Sequence, residues 1–409
     1  MTLLSLLSGL VDRDPSAALA IDAGGAEQIT VSRGAVLRRT LRLRDDLAHA
    51  GVGLGDCVAV WLPNWSDALC WQCATASLGA HVIGVNTRYN VGEVTHVLER
   101  ARPKVVALAN EFHDLDLIGR LREAVRKSNS PVPSVAVVAG PQGNPPPDVS
   151  THDLGAGAWV PGDSPERVVE TIPSSDHLAV AFTTSGSTGK PKLAAHNESA
   201  VVAHAIADAR AIGISDGDVV LCALPLSGVF GFSTAMAAIA GGGVCLLEPV
   251  FDEDAVLADM AQWQVTHVVG ADDMILRLAE AWQRKPRDLS SWHWLGIADF
   301  LGKSHDLAQW ALAEFGTVSS GVYGSSEVLA LTALWPQDEP RPRRWSGGGR
   351  LVSPEIKART VDPVTEQPVA VGEQGELQLR GPNVVDAYLG DPETAKRSFT
   401  TDGWFAPAT

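Results

Sequence analysis

A short run of hydroxyl, glycine and lysine residues at Thr183–Lys192 offers the most recognisable chemistry in this sequence. It reads Thr-Thr-Ser-Gly-Ser-Thr-Gly-Lys-Pro-Lys and belongs to a stretch whose apolar start predicts a strand over 178–184. Glycines let a loop fold so tightly that consecutive backbone N–H groups point at one anion, while hydroxyls add donors and lysine adds positive charge. The run therefore predicts a phosphate-binding loop, with a flexible turn of the same composition as the alternative.

This run does not follow the Walker A pattern of P-loop kinases and GTPases. That pattern places a glycine five residues before the Gly-Lys pair, where this chain has Thr184, and a serine or threonine after the lysine, where it has Pro191. A proline at that place also removes a backbone N–H donor. An ordinary P-loop enzyme is therefore disfavoured.

The loop instead resembles the signature loop of the adenylate-forming superfamily, which includes acyl-CoA synthetases, aryl-CoA ligases, luciferases and peptide-synthetase adenylation domains. The family pattern Thr-Ser-Gly-Ser/Thr-Thr-Gly-x-Pro-Lys matches Thr184–Lys192, and Leu193 replaces the glycine that usually follows. Further segments match in the family's order, namely Gly53–Asn64, Leu78–Ala80, Asn86–Tyr89, Val322–Glu327, Gly375–Pro382, Tyr388-Leu389 and Asp402–Phe405. The resemblance therefore covers nearly the whole chain.

The resemblance implies that a carboxylate attacks the α-phosphate of ATP and that a thiol of coenzyme A, or of a carrier phosphopantetheine, then takes the acyl group. Such catalysis depends mainly on positioning and electrostatics. Ser326 would contact the α-phosphate and Glu327 would bind Mg²⁺, a cation that uses few carboxylates. The implied catalytic residues are Thr184, Lys190, Ser326 and Glu327, and the implied ATP-binding residues are Thr183, Thr184, Ser185, Gly186, Ser187, Thr188, Gly189, Lys190, Gly296, Ala298, Tyr323, Gly324 and Ser325.

Departures from the family pattern concern the acid that would be activated. Gly228 stands where the family often has a histidine, which predicts a wide pocket for a bulky or polycyclic acid, or a gap that Phe230 fills. Asp299 replaces a usual proline, and Gly270–Met274 brings two further carboxylates to an apolar segment. Because a buried unpaired carboxylate is costly, we expect these aspartates to face water or a polar substrate group. The predicted substrate-binding residues are Gly228, Phe230 and Asp299.

The last residues depart from the family as well. Ala406–Thr409 stands where the family has Arg-Thr-Gly-Asp, so Thr409 would replace the aspartate that binds the ribose hydroxyls. The family's mobile C-terminal domain, which rotates between the two half-reactions, does not follow. We expect the large N-terminal domain of a CoA ligase, inactive or weakly active by itself. The alternatives are a divergent relative that binds or thioesterifies an adenylate made elsewhere, and an adenylation domain that loads a carrier protein.

Helices and apolar strands alternate on both sides of the phosphate loop. This alternation runs over 28–110 and again over 176–330, and it is typical of a parallel α/β sheet. After 331 the pattern changes to apolar–polar alternation, at 356–361 and 376–380. The sequence therefore predicts an α/β fold with one lobe over 1–175, a second lobe over 176–330 and a small β-rich, distorted barrel-like unit over 331–409.

Composition restricts the classes of protein further. The chain has 409 residues, 45% hydrophobic and 20% charged, which suffices for large apolar cores. Its formal net charge of −16 disfavours binding to nucleic acid or anionic membranes. The five cysteines fit a reducing compartment, and no apolar run is long enough to span a membrane. We expect a soluble cytoplasmic protein that acts on a small carboxylic acid, with homodimerisation left open.

Overall fold

The computed structural model describes residues 1–24, 27–110, 112–141, 157–162, 174–184 and 191–406. The strands in chain order are β1 (Ala18–Asp22), β2 (Ile29–Ser32), β3 (Cys57–Trp61), β4 (His81–Gly84), β5 (Val105–Ala109), β6 (Ser134–Val138), β7 (Ala158–Trp159), β8 (Leu178–Thr183), β9 (Leu193–Asn197), β10 (Val219–Cys222), β11 (Val244–Leu247), β12 (His267–Ala271), β13 (Trp294–Ala298), β14 (Val318–Ser325), β15 (Leu329–Leu334), β16 (Arg350–Leu351), β17 (Lys357–Val361), β18 (Glu376–Arg380) and β19 (Ala387–Tyr388). The helices are α1 (Leu3–Arg13), α2 (Arg33–His49), α3 (Ser66–Ser77), α4 (Val91–Ala101), α5 (Leu117–Lys127), α6 (Glu198–Ile212), α7 (Val229–Gly241), α8 (Glu253–Gln262), α9 (Asp272–Arg284), α10 (Ser304–Phe315) and α11 (Pro392–Arg397).

An eight-stranded sheet leads into the predicted phosphate loop. Its strand order is β19-β9-β8-β4-β3-β5-β6-β7, and the strands from β8 to β7 in that order run parallel. Parallel strands are covered on both faces, which explains why they read as continuous apolar runs. β8 and β9 are antiparallel neighbours, and the Thr184 N–H donates to the Lys192 carbonyl at 2.8 Å. Residues 185–190, between these strands, lie outside the described part of the chain.

A nine-stranded sheet brings two further strand ends to the same region. Its order is β16-β15-β14-β13-β12-β10-β11-β1-β2. β1 and the strands from β10 to β14 pair in parallel, whereas β2, β15 and β16 join in antiparallel orientation. Because β13 and β14 are parallel neighbours, their carboxyl ends lie side by side. Loops that follow these two strands can therefore line one site.

Helix α3 lies between the two large sheets. It contacts β1 of the nine-stranded sheet and β3, β4 and β8 of the eight-stranded sheet, and most of its residues are buried. At its start, the backbone N–H and the hydroxyl of Ser66 both donate to the buried carboxylate of Asp22, each at 2.6 Å. A buried helix with this link fixes one sheet against the other. None of the helices described is long and apolar enough to cross a membrane.

Each large sheet contains strands from both sides of residue 175, which the sequence predicts as a boundary between lobes. β1 and β2, before this position, belong to the nine-stranded sheet, while β8 and β9, after it, belong to the eight-stranded sheet. Hydrophobic periodicity identifies a strand but not the sheet that it joins. The α/β fold with mainly parallel sheets is confirmed, and the division into lobes at 175 and 330 stays a prediction.

The residues after 331 contribute to all three sheets. β15 and β16 extend the nine-stranded sheet, and β19 extends the eight-stranded one. β17 and β18 form the two-stranded antiparallel sheet that the alternation at 356–361 and 376–380 predicts. Within residues 331–406 these strands do not close into a barrel, so the barrel-like unit of the prediction is corrected to a two-stranded sheet.

Candidate active site

A cavity of about 850 Å³ lies where strands of both large sheets end. Residues just beyond β8 and β13, the end of β14 and the start of α7 line it. Its polar side chains include Thr184, Lys192, Ser326, Glu327, Tyr388 and Ser398. Its apolar side chains include Val229, Phe230, Val322, Ala330 and Leu331. The carboxyl ends of strands are where open α/β sheets bind ligands, so this cavity is the candidate active site.

Most of the predicted site residues that the structure describes meet in this cavity. Those that line it are Thr184, Phe230, Ala298, Asp299, Tyr323, Gly324, Ser325, Ser326 and Glu327. Thr183, Gly228 and Gly296 do not belong to its lining. Ser185, Gly186, Ser187, Thr188, Gly189 and Lys190, as well as Thr409, lie outside the described residues. Their roles, like those of the lining residues, stay predictions.

The turn between β14 and β15 carries Ser326 and Glu327. Ser325 pairs with Leu329 across this turn, and the register is irregular there. Gly324 is required because a Cβ at this position would lie 2.7 Å from the Ala330 Cα, inside the facing strand. The turn is thus narrow, and it places two polar side chains at the cavity surface.

The negative charge of Glu327 acts on two tyrosines that line the same cavity. Burial, and then the negative charge of Glu327, raise the pKa of Tyr323. The same two causes raise the pKa of Tyr388 to about 12, against a hydrogen bond with Ser398 that lowers it. Both phenols are therefore protonated at neutral pH and can donate hydrogen bonds. Lys192 adds positive charge, with its ammonium 5.4 Å from the centroid of the Tyr388 ring.

The residues around Glu327 fit a magnesium ion that is shared with a ligand. In the described residues, no three His, Cys, Asp or Glu side chains come together as a metal site by themselves. Glu327 and the serine hydroxyls of the turn offer only oxygen donors. Mg²⁺ prefers oxygen ligands and takes one or two carboxylates together with water and substrate phosphates.

Asp272 is where the structure contradicts the sequence prediction. We expected it to face water or a substrate, but it is fully buried at the start of α9. Its carboxylate accepts the backbone N–H groups of Phe300, Leu301 and Lys303 at 3.1, 2.7 and 3.2 Å. Burial opposes its charge, but these donors outweigh it and lower its pKa. Asp272 therefore holds the loop after β13 in place, and the exposed Asp299 of that loop lines the cavity.

Gly228 caps helix α7 and does not form the cavity wall. A Cβ at this position would meet only the Pro225 carbonyl oxygen, at 3.5 Å, so a larger side chain has room there. Phe230, two residues on, lines the cavity. The two alternatives for this wall, a wide pocket and a gap filled by Phe230, stay predictions.

The sequence analysis missed several lining residues. Lys192 closes the recognised motif, but only the lysine before it was assigned a role. Tyr388 belongs to a segment that carries the resemblance but is assigned no site role, and Ser398 belongs to no recognised motif. Gly347 and Gly348 belong to a run of three glycines, a signal that could have suggested close approach of the backbone to a ligand.

Comparison with known proteins identifies the family. The model of the family described as AMP-binding enzyme matches residues 11–389. The chain belongs to the AMP-binding enzyme family. This membership confirms the resemblance to the adenylate-forming superfamily, and the cavity of this AMP-binding enzyme gathers the motifs that carried that resemblance.

Among similar proteins are two ligases of the same name from two organisms. A 3-(7a-methyl-1,5-dioxo-octahydro-1H-inden-4-yl)propanoyl:CoA ligase from Rhodococcus jostii is 26% identical over 376 residues, which cover 89% of this AMP-binding enzyme and 69% of the relative. Its namesake from Mycobacterium tuberculosis is 30% identical over 376 residues, which cover 88% and 67% of the two chains. The chain thus spans about two thirds of the length of these relatives.

A solved structure supports the fold. ATP-bound MatB from Rhodopseudomonas palustris superimposes with a TM-score of 0.81 at 24% sequence identity, over 100% of this chain and 76% of that chain. At this identity the likeness concerns the fold alone. It agrees with the α/β architecture of the AMP-binding enzyme described above.

Proposed function

We propose that this AMP-binding enzyme is an ATP-dependent carboxylate–CoA ligase. A carboxylate oxygen of the acid attacks the α-phosphorus of ATP, the bond to the bridging oxygen breaks, and pyrophosphate leaves. The sulfur of a thiol then attacks the acyl carbon, its proton goes to solvent, and AMP leaves. The observation that carries the proposal is the meeting of Thr184, Ser326 and Glu327 in one cavity, in a family whose relatives named above are CoA ligases.

The polar side chains of the cavity would bind the phosphates. The hydroxyl of Thr184 is buried and has no hydrogen-bond partner among the described residues, so it is available as a donor. The ammonium of Lys192 and the protonated phenol of Tyr388 are further cationic and neutral donors. Glu327 would hold Mg²⁺, which would neutralise part of the phosphate charge. These residues bind and orient the α-phosphate for attack.

The adenine and the acid would occupy the remaining cavity. Tyr323 and Ala298, at the ends of β14 and β13, are the predicted adenine neighbours that line it, whereas Gly296 lies within its strand. The apolar side chains named above, Phe230 among them, would receive the acid. We propose a bulky or cyclic carboxylic acid, because the two ligases named above act on a propanoyl group that carries an indene-derived bicycle.

The acceptor thiol, the oligomeric state and the cellular location stay predictions. Coenzyme A is proposed as the thiol because the relatives are CoA ligases, and a carrier phosphopantetheine is the alternative. The non-adenylating alternative rests on Thr409, which lies outside the described residues. Homodimerisation and a cytoplasmic location are expectations from the sequence.

Titration of ATP·Mg²⁺ into the 409-residue chain tests this proposal. We expect binding by the wild type and an affinity about tenfold lower in Glu327→Gln, because a charge-assisted contact is lost. Isothermal calorimetry gives both affinities. Glu123→Gln on α5 is the matched control, since this exposed carboxylate pairs with Lys127 and does not line the cavity. A folded wild-type chain that does not bind ATP·Mg²⁺ would contradict the proposal.

A further inference from the structure

The backbone that carries Ser326 and Glu327 is held through its carbonyl groups. Each carbonyl oxygen from 326 to 330 accepts a hydrogen bond. His196 Nε2 donates to Ser326 O at 2.7 Å, Val385 N to Glu327 O at 2.6 Å, Asn383 Nδ2 to Val328 O at 2.6 Å, Thr332 Oγ1 to Leu329 O at 2.7 Å and His204 Nε2 to Ala330 O at 2.8 Å. A turn with all its acceptors engaged has little freedom to move.

Two of these donors are buried histidines that do not line the cavity. His196 lies in β9, the strand that follows the predicted phosphate loop, and His204 lies in α6. They are 0% and 4% exposed. Because a carbonyl oxygen can only accept, each ring must carry its proton on Nε2. Burial lowers the pKa of both rings to about 4, so they are neutral donors at physiological pH.

The backbone at and beside residues 326–330 has an unfavourable conformation that these hydrogen bonds stabilise. Leu329 and Leu331 have φ values of 58° and 70°, in the left-handed region that a branched side chain disfavours. Residues in such conformations persist where the surrounding structure over-determines them, and they concentrate at functional sites. The two histidines donate to carbonyls on both sides of Leu329. They therefore stabilise the conformation that places Glu327 at the cavity surface.

We propose that His196 and His204 are positioning residues for nucleotide binding, which act through the backbone of 326–330 on Ser326 and Glu327. This inference rests on the proposed function, since it assumes that Glu327 binds ATP·Mg²⁺ in the cavity. Neither histidine lines the cavity, so neither touches the ligand. Their effect is to hold the Glu327 carboxylate in the geometry that the oxygen coordination of Mg²⁺ requires.

Substitutions at His196 that keep or remove the donor test the proposal. Glutamine keeps a side-chain N–H of similar reach, and leucine fills the space without a donor. We expect His196→Leu to weaken ATP·Mg²⁺ binding about tenfold, and His196→Gln to stay within about threefold of wild type. Binding of ATP without Mg²⁺, in the presence of EDTA, should change less than about threefold in both variants. Calorimetry measures the affinity of each variant and of the wild type for ATP, with Mg²⁺ and with EDTA. Thermal unfolding measures stability separately.

His177→Leu is the matched control. The His177 side chain is 8% exposed, and its Nε2 also hydrogen-bonds a backbone carbonyl, that of Ala76 at 3.0 Å, rather than one of the 326–330 segment; its other polar neighbour is the Glu198 carboxylate, at 3.4 Å. A merely structural role predicts that both leucine variants lower the unfolding midpoint and that neither changes the Mg²⁺ dependence of binding. Unchanged Mg²⁺ dependence in folded His196→Leu overturns the proposal.

His196→Asn covers the case in which the leucine variant does not fold. Its amide stays polar but falls short of the Ser326 carbonyl, so we expect a loss of ATP·Mg²⁺ affinity that glutamine does not cause. Equal affinities in the asparagine and glutamine variants overturn the proposal. If the folded wild type does not bind ATP·Mg²⁺, the proposed function fails, and the inference falls with it. If the wild type binds and the variants match it, only the inference fails.

Discussion

At the scale of single residues, Glu248 shows how strongly burial changes the chemistry of a side chain. It follows β11, is 3% exposed, and one of its oxygens has no hydrogen-bond partner among the described residues. Burial, and then the neighbouring Asp259, raise its pKa to about 8. The folded protein therefore binds this proton more tightly than the unfolded chain does. Its contribution to stability is present at low pH and is lost as the pH rises towards 8.

We predict that Glu248→Gln removes a pH dependence of stability. Between about pH 5 and pH 8 the folded chain holds a proton that the unfolded chain has released, so each pH unit lowers the wild-type free energy of unfolding by about 1.4 kcal/mol from this group. Glutamine has nearly the same shape and does not titrate. Urea unfolding at several pH values measures the difference between the two free energies of unfolding, which should grow in favour of the variant as the pH rises from 5 to 8.

The exposed Glu280 on α9 provides the control for this prediction. Glu280→Gln should leave the pH dependence of the free energy of unfolding as in the wild type, because this carboxyl is exposed to water in the folded protein as well as in the unfolded chain. The same slope in Glu248→Gln and in wild type between pH 5 and pH 8 would show that Glu248 is ionised in the folded protein.

At the scale of elements, the candidate site depends on a link between two helices and a loop. Asp272 starts α9, and its carboxylate accepts three N–H groups from the loop that connects β13 to α10. Asp299 lies in the same loop, and its carboxylate accepts the N–H of Ser304 at the start of α10, at 3.2 Å. The cavity wall at Asp299 and Phe300 therefore owes its shape to a carboxylate that does not line the cavity.

We predict that Asp272→Ala and Asp273→Ala differ strongly in stability. Removing Asp272 leaves three backbone donors without their charged acceptor, which should lower the free energy of unfolding by about 2–3 kcal/mol. The neighbouring Asp273 is exposed, and its removal should change this energy by less than about 0.5 kcal/mol. Urea denaturation of the two variants measures both values. Equal losses would mean that the loop does not depend on Asp272.

At the scale of the whole molecule, successive segments of the chain belong alternately to the two large sheets. Successive segments belong to the nine-stranded sheet (18–32), the eight-stranded sheet (57–197), the nine-stranded sheet again (219–351) and finally the eight-stranded sheet at β19. Helix α3 is buried against both. Neither sheet is complete in one continuous stretch, which argues that the described parts of the molecule fold together.

We predict that a fragment of residues 1–175 does not fold alone. It would lack β8 and β9, and its β1 would lose β11, the parallel neighbour that pairs at Cys245–Leu247. Unpaired central strands leave backbone groups without partners. Limited proteolysis and urea unfolding of the fragment, with the 409-residue chain as the control, measure this. A protease-resistant fragment with a cooperative transition would instead establish the lobe boundary predicted from the sequence.

The sequence by itself determined the family, the α/β class and most of the candidate site. The residue types of the loop ending at Lys192 indicate phosphate binding, and the resemblance to the family implies the roles in the Val322–Glu327 segment. The alternation of helices and strands predicted over 28–110 and 176–330 is present in the structure, as from β3 to β5 and from β10 to β14. Local signals of this kind depend on periodicity and on turn residues within a few positions.

Only the tertiary structure decided what depends on partners distant in the chain. No pattern around Asp272 indicates three donors some thirty residues later, and none around His196 indicates the Ser326 carbonyl, 130 residues away. The same holds for the sheet that β1 joins, and for the cavity position of Tyr388. The physical reason is that periodicity reports which face of an element is buried, whereas pairing and hydrogen bonding between distant segments are fixed only when the chain packs.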